Sequence, residues 1–122
     1  MAGSSSIWIA RLSAAFAVVA GVWLIFSPWI WLSHYADAAK WNDFGIGILV
    51  LFLMSLKALF PRIGWISWVG IFIGLWVLFS PWALEYAVDA GALRNNVLTA
   101  TVIIMASSIA AIATLAVPRN SA

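Results

Sequence analysis

The sequence predicts an all-α membrane protein in which four transmembrane helices form two tandem two-helix repeats. Three observations carry that prediction. Hydrophobic residues make up 66% of the 122 positions and charged residues 8%, against roughly 45–50% and about 25% in soluble domains. Residues 21–29, GVWLIFSPW, return as residues 74–82, GLWVLFSPW, at an offset of 53, with six of nine positions identical and the others aliphatic exchanges. Charges then divide the chain into apolar runs of membrane-crossing length. Runs of 22, 22 and 24 residues lie between Arg11 and His34, Arg62 and Glu85, and Arg94 and Arg119, each enough for the roughly 20 residues of a spanning helix. The run between Asp43 and Lys57 is 13 residues. It reaches Phe60 if Lys57 buries its stem and carries its ammonium outward.

Residues 1–6 are a short polar tail, small in composition and with no reason for order. The first repeat spans residues 7–60, the second 61–117, and 118–122 form a C-terminal tail. Helix one is expected over residues 7–26; no small-residue cleavage site follows it, so it is a retained span rather than a signal peptide. Pro28 lacks an N–H and disfavours helical geometry at Ser27, so FSPW (Phe26, Ser27, Pro28, Trp29) reads as a helix terminator with an interfacial tryptophan. Ser27 is placed to bond back to the Trp23 carbonyl. Phe79, Ser80, Pro81 and Trp82 repeat the device.

The polar loops that follow, residues 30–41 and 83–94, each have the composition of a short interfacial helix. Asn42 and Asn95, again 53 apart, precede apolar runs and read as N-caps of the second helix of each repeat. A further expectation is that each amide donates to the carbonyl freed by the proline of its own repeat. Helix two is expected over 43–60, helix three over 63–79 after a Pro61-Arg62 turn, and helix four over 96–117, ending before Pro118.

Arg11, Lys57, Arg62 and Arg119 fall on one side without an acid. Lys40 and Arg94 share the other with Asp37, Asp43, Glu85 and Asp89. The positive-inside rule therefore puts both termini and the Pro61 turn in the cytoplasm and both FSPW loops outside. Two-helix repeats that return to the same side are parallel, related by a pseudo-twofold axis along the membrane normal. Trp29, Trp31, Trp41 and Trp82 would form one aromatic belt; Trp8, Trp65 and Trp68 would form the other. Trp23 and Trp76, one turn inside the motif, are expected to pack across the axis. Small residues four apart, Ala17 with Gly21, Gly70 with Gly74, and Ala106 with Ala110 and Thr114, allow close helix approach. Self-association through Gly70 and Gly74 is left open.

The doubled FSPW together with Asn42 and Asn95 resembles the SPW-repeat family of small bacterial membrane proteins, over residues 7–117. Asp43 departs from the repetition, because Asn96 follows the second asparagine. The resemblance implies a two-helix membrane repeat and a bacterial cytoplasmic (inner) membrane location. It implies no activity.

Nothing in the chain reads as a catalytic constellation: Ser/His/Asp order, P-loop and HExxH are all missing from it, and an enzyme is not expected. The six Lys/Arg are scattered, so no nucleic-acid partner is expected. Without cysteine the chain builds no disulfide or thiolate metal site. His34, the single histidine, is a weak candidate axial ligand to haem or chlorophyll, in a loop and without a second histidine. Asp37, Asp43, Glu85 and Asp89 match no metal-binding loop spacing and read as a solvated acidic rim. Between the boundary charges only Ser55, Thr99, Thr101, Ser107, Ser108 and Thr114 are polar and deep, so the interior reads as dry. The expected function is a non-catalytic accessory or scaffold subunit of a larger membrane complex, of respiratory or photosynthetic type. It has no cofactor of its own and contacts lipid or a partner's pigment. The alternative is a small carrier or channel acting as a homo-oligomer.

Overall fold

A computed structural model describes residues 2–30, 37–84 and 90–116. Four helices account for nearly all of them: α1 (Ala2–Ile30), α2 (Asp37–Leu59), α3 (Trp65–Ala83) and α4 (Ala90–Leu115). All four are long and apolar enough to cross a membrane. Each packs against two neighbours in the cyclic order α1, α2, α3, α4 and back to α1.

What makes this a bundle is a buried seam that recurs at alternating spacings of four and three residues. On α1 it is Ala10, Ala14, Ala17, Gly21, Leu24 and Pro28; on α2, Asp43, Gly47, Val50, Met54 and Lys57. On α3 it runs from Ile66 through Gly70, Ile73 and Val77 to Ser80, and on α4 through Ala92, Asn96, Thr99, Ile103, Ala106 and Ala110. A seam of that period keeps one stripe of each helix facing its partners. Leu24, Met54, Ile66 and Ile103 are buried in the seams, but many other large side chains point the other way, Phe16, Phe72, Ile112 and Leu115 among the most exposed. Lipid solvates such groups as well as a protein core would, so small residues are spent on helix contact instead.

Gly21 and Gly47 mark a close backbone approach of α1 and α2. A Cβ on Gly47 would lie 2.8 Å from the Gly21 carbonyl oxygen and 2.9 Å from the Ile25 nitrogen. Gly70 and Gly74 likewise face inward, toward Met54 and Ser107 and toward Ile103 and Ile104. Ala17, Ala106 and Ala110 are buried beside them in the bundle. The Gly70/Gly74 ridge therefore faces α2 and α4 of the same chain.

Several expected boundaries are corrected. The N-terminal tail is not a separate segment: α1 begins at Ala2, and Ser6 is already buried against the bundle. Pro28 and Pro81 do not terminate their helices but lie inside them, with helix continuing to Ile30 and Ala83. Proline near a helix end removes one late hydrogen bond, and Leu84 N–H still closes the last turn of α3 on the Ser80 carbonyl at 2.8 Å. Asn42 and Asn95 are not caps, because α2 and α4 start earlier, at Asp37 and Ala90. Residues 37–41, expected in an interfacial helix, form the beginning of α2; residues 31–36 and 85–89, with Trp31, His34, Glu85 and Asp89, lie outside the described residues.

The turn from α2 to α3 is tied from inside. Lys57 does not carry its ammonium outward. It is fully buried, and its Nζ donates to the Pro61 carbonyl (2.8 Å), the Ile63 carbonyl (2.7 Å) and Thr114 Oγ1 (2.7 Å). Carbonyls that leave a helix end need donors, and here one cation serves the turn and α4 together. Alongside it, Arg11 Nε donates to the Ala58 carbonyl at 2.9 Å, and its guanidinium lies 5.0 Å from the centre of the Trp8 ring.

Candidate functional site

At the FSPW end the bundle encloses a polar cluster drawn from all four helices. Trp23 and Ser27 stand one turn apart on α1, and Trp76 and Ser80 one turn apart on α3. Such pairs share a face because residues four apart lie one above the other on a helix. Asn42 and Asp43 stand at the start of the α2 seam, and Asn95 and Asn96 near the start of that of α4.

Most of the bonds cross between the two copies. Trp23 Nε1 donates to Asn95 Oδ1 at 2.6 Å, and Asn95 Nδ2 donates to Ser27 Oγ at 2.9 Å. In the other direction Trp76 Nε1 donates to Asn42 Oδ1 at 2.9 Å. Asn96 Nδ2 lies 3.0 Å from Asp43 Oδ1 and 3.2 Å from Ser80 Oγ. Ser27, Asp43, Ser80 and Asn96 are fully buried, and Asn95 nearly so. Burying polar groups in a bundle is costly unless they are so satisfied.

Four sequence expectations change here. Asp43 does not belong to a solvated rim; it sits at the centre of the bundle, because α2 already extends six residues N-terminal to it. The interior is accordingly not dry at this end. The carbonyl freed by Pro81, that of Val77, accepts from Ser80 Oγ at 3.0 Å and lies 3.5 Å from Asn96 Nδ2, so Asn96 rather than Asn95 is the amide that reaches it. The serine hydroxyl in this copy bonds three residues back, to Val77, and not four back to Trp76.

The remaining motif residues line the rim. Pro28 and Pro81 are buried, while Phe26, Trp29, Phe79 and Trp82 face outward. Trp29 meets Trp41 edge-on at 6.4 Å and Phe44 at 5.5 Å, and Trp41 meets Phe44 at 6.2 Å. Trp8, Trp65 and Trp68 are exposed at the opposite end. Among the described residues no three of His, Cys, Asp and Glu come together as metal ligands. Chemically the cluster offers one carboxylate, three amides, two hydroxyls and two indole donors, a set suited to binding helices to one another.

A model of the SPW repeat domain matches residues 11–110, most of the chain and both copies of the motif. The chain belongs to the SPW-repeat family. No curated protein and no solved structure matches it. In SPW-repeat terms, the serine and proline of the motif face the bundle and its tryptophan faces the rim. Asp43, Asn96 and Lys57 were missed as interior residues because charge and amide character were read as marking the ends of spans. The four-and-three spacing of the seams, which includes all three, was the signal that could have placed them.

Proposed function

We propose that this SPW-repeat protein is a non-catalytic accessory or scaffold subunit, built to stand as a rigid element within a larger membrane assembly of respiratory or photosynthetic type. The observation that carries this reading is the use of the interior polar groups. Trp23, Asn95 and Ser27, and Asn96, Asp43 and Ser80, spend their hydrogen bonds on joining helices. Many large apolar side chains are on the outside, where a neighbouring subunit, a pigment or lipid would meet them. Solubilisation in mild detergent followed by sizing and mass spectrometry tests this. Migration within a large particle at fixed stoichiometry is the expected result, and a lone or small homo-oligomeric species would end the reading.

One observation favours a carrier or channel instead: Asp43 is an ionisable residue inside the bundle, and such residues mark ion paths in many transporters. Flux in proteoliposomes that disappears in Asp43→Asn would support that alternative.

We also propose a bacterial inner-membrane location with the FSPW ends outside. Lys57 faces the bundle interior and drops out of the loop count. The Lys/Arg bias then rests on Arg11, Arg62 and Arg119 against Lys40 and Arg94. Because the chain has no cysteine, single cysteines at positions 62 and 84 can be labelled from either side to test it.

A further inference from the structure

We propose that the cleft between α1 and α4 binds one anionic glycerophospholipid, its acyl chain lying along the cleft and its phosphate held at Arg94. Two hollows meet end to end on this face. One of about 380 Å³ at the FSPW end is lined by Trp23, Gly91, Arg94, Asn95 and Leu98. The next, about 290 Å³, shares Trp23 and Leu98 with it and continues past Phe16, Val19, Thr99 and Val102. A third of about 210 Å³ shares Phe16 and Val102 and extends the track toward Ile109.

The shape selects a hydrocarbon chain over a helix. Ala20 and Thr99, both buried, form the floor where α1 and α4 touch; Phe16, Val19, Leu98 and Val102 stand as walls one side chain high. A helix, about 10 Å across, rides on such walls, whereas an unbranched chain reaches the floor. From Gly91 to Val102 the first two hollows run about 16 Å along α4 at 1.5 Å per residue, close to one leaflet of a hydrocarbon core about 30 Å thick, and the third carries the track beyond it.

The chemistry at the mouth selects an anion. Arg94 is exposed there, and a guanidinium has five donors in a fork that fits phosphate, so it can add a phosphate to its existing contacts. Gly91 lines the mouth beside it. Trp23 is held against Asn95 by its indole bond, which fixes that wall. At the position equivalent to Arg94, the first copy carries Trp41, packed against Trp29 and Phe44. The first copy thus carries no cation at the equivalent position, its nearest being Lys40. This inference does not depend on whether the chain is a subunit or a carrier.

The experiment is native mass spectrometry of delipidated, detergent-solubilised protein titrated with dioleoyl-phosphatidylglycerol or dioleoyl-phosphatidylcholine. Wild type is expected to retain one phosphatidylglycerol, with Arg94→Gln weakening it about tenfold to the level of phosphatidylcholine. Leu98→Trp, which fills the track, should abolish retention of both, while Ile112→Trp on a different exposed face should leave binding intact; thermal unfolding checks that each variant is folded. Equal retention of the two lipids, no saturation at one per chain, an unchanged Arg94→Gln, or equal loss in folded Ile112→Trp would each overturn the proposal.

Discussion

Asn96 meets Asp43 across the bundle at 3.0 Å, and the two residues hold the same place in the two copies of the duplicated sequence, 53 positions apart. Where equivalent residues of the two copies touch, like would otherwise meet like. Two carboxylates there would repel in a poorly solvated site, and the replacement of one by its amide turns the contact into a donor and an acceptor.

The first prediction concerns that pair. Asp43→Asn keeps an oxygen acceptor and should cost less than about 1 kcal/mol, the usual scale of a membrane hydrogen bond. Asn96→Asp places two acids together and removes the donor to Ser80, and should be the more damaging. Combining the two restores a donor opposite an acceptor. The double variant should therefore unfold at a higher temperature than Asn96→Asp alone; a lower temperature would show that the contact carries no coupling.

Gly47→Ala puts a methyl within 3.0 Å of the α1 backbone. Overpacking of that kind costs about 1–3 kcal/mol. Gly45, two residues away, has nothing within 4 Å of a new Cβ. Gly45→Ala should leave the thermal midpoint in detergent unchanged or raise it, since alanine favours helix over glycine. Equal effects at the two positions would contradict the close approach of α1 and α2.

Trp23→Phe and Trp76→Phe keep a ring and remove the indole donor. Each leaves an asparagine oxygen short of a partner, at a cost of about 0.6 kcal/mol and up to about 1.7 kcal/mol. The loss should be larger at Trp23, whose bond to Asn95 is partly buried, than at Trp76, whose bond to Asn42 is exposed. A double-mutant cycle pairing Trp23→Phe with Asn95→Leu measures the coupling directly. Independent, additive effects would remove this bond from the account of stability.

Lys57→Met leaves the Pro61 and Ile63 carbonyls without their shared donor. The expected signature is local: faster hydrogen exchange across residues 60–64, with protection at Asn95 and Asn96 unchanged. Thr114→Val removes one of the three partners and should show a weaker form of the same effect. Uniform loss of protection through the bundle would mean that Lys57 supports the whole fold rather than the turn.

Much of the fold was legible because the membrane leaves few choices. Backbone groups in hydrocarbon must bond internally, so apolar runs of this length become helices, and four such runs were readable from the spacing of charges. Ala17, Gly21, Gly70 and Gly74 were legible as contact residues, since small side chains are what lipid-embedded helices bury. The candidate site was less so. Asn42 and Asn95 stood out by their repetition, but capping, their commonest role before an apolar run, was the wrong role here.

The sequence by itself determined that this is a membrane protein with four helices long and apolar enough to cross a membrane and a doubled FSPW motif, because those properties follow from composition, length and duplication. Only the tertiary structure decided what its few polar side chains do. Whether Asp43, Lys57 and Asn96 end a span or line its inside depends on which stripe of each helix faces the others. That is settled by the packing of four helices together, through contacts such as Asn96 with Asp43 and Lys57 with Thr114 that join residues more than fifty positions apart.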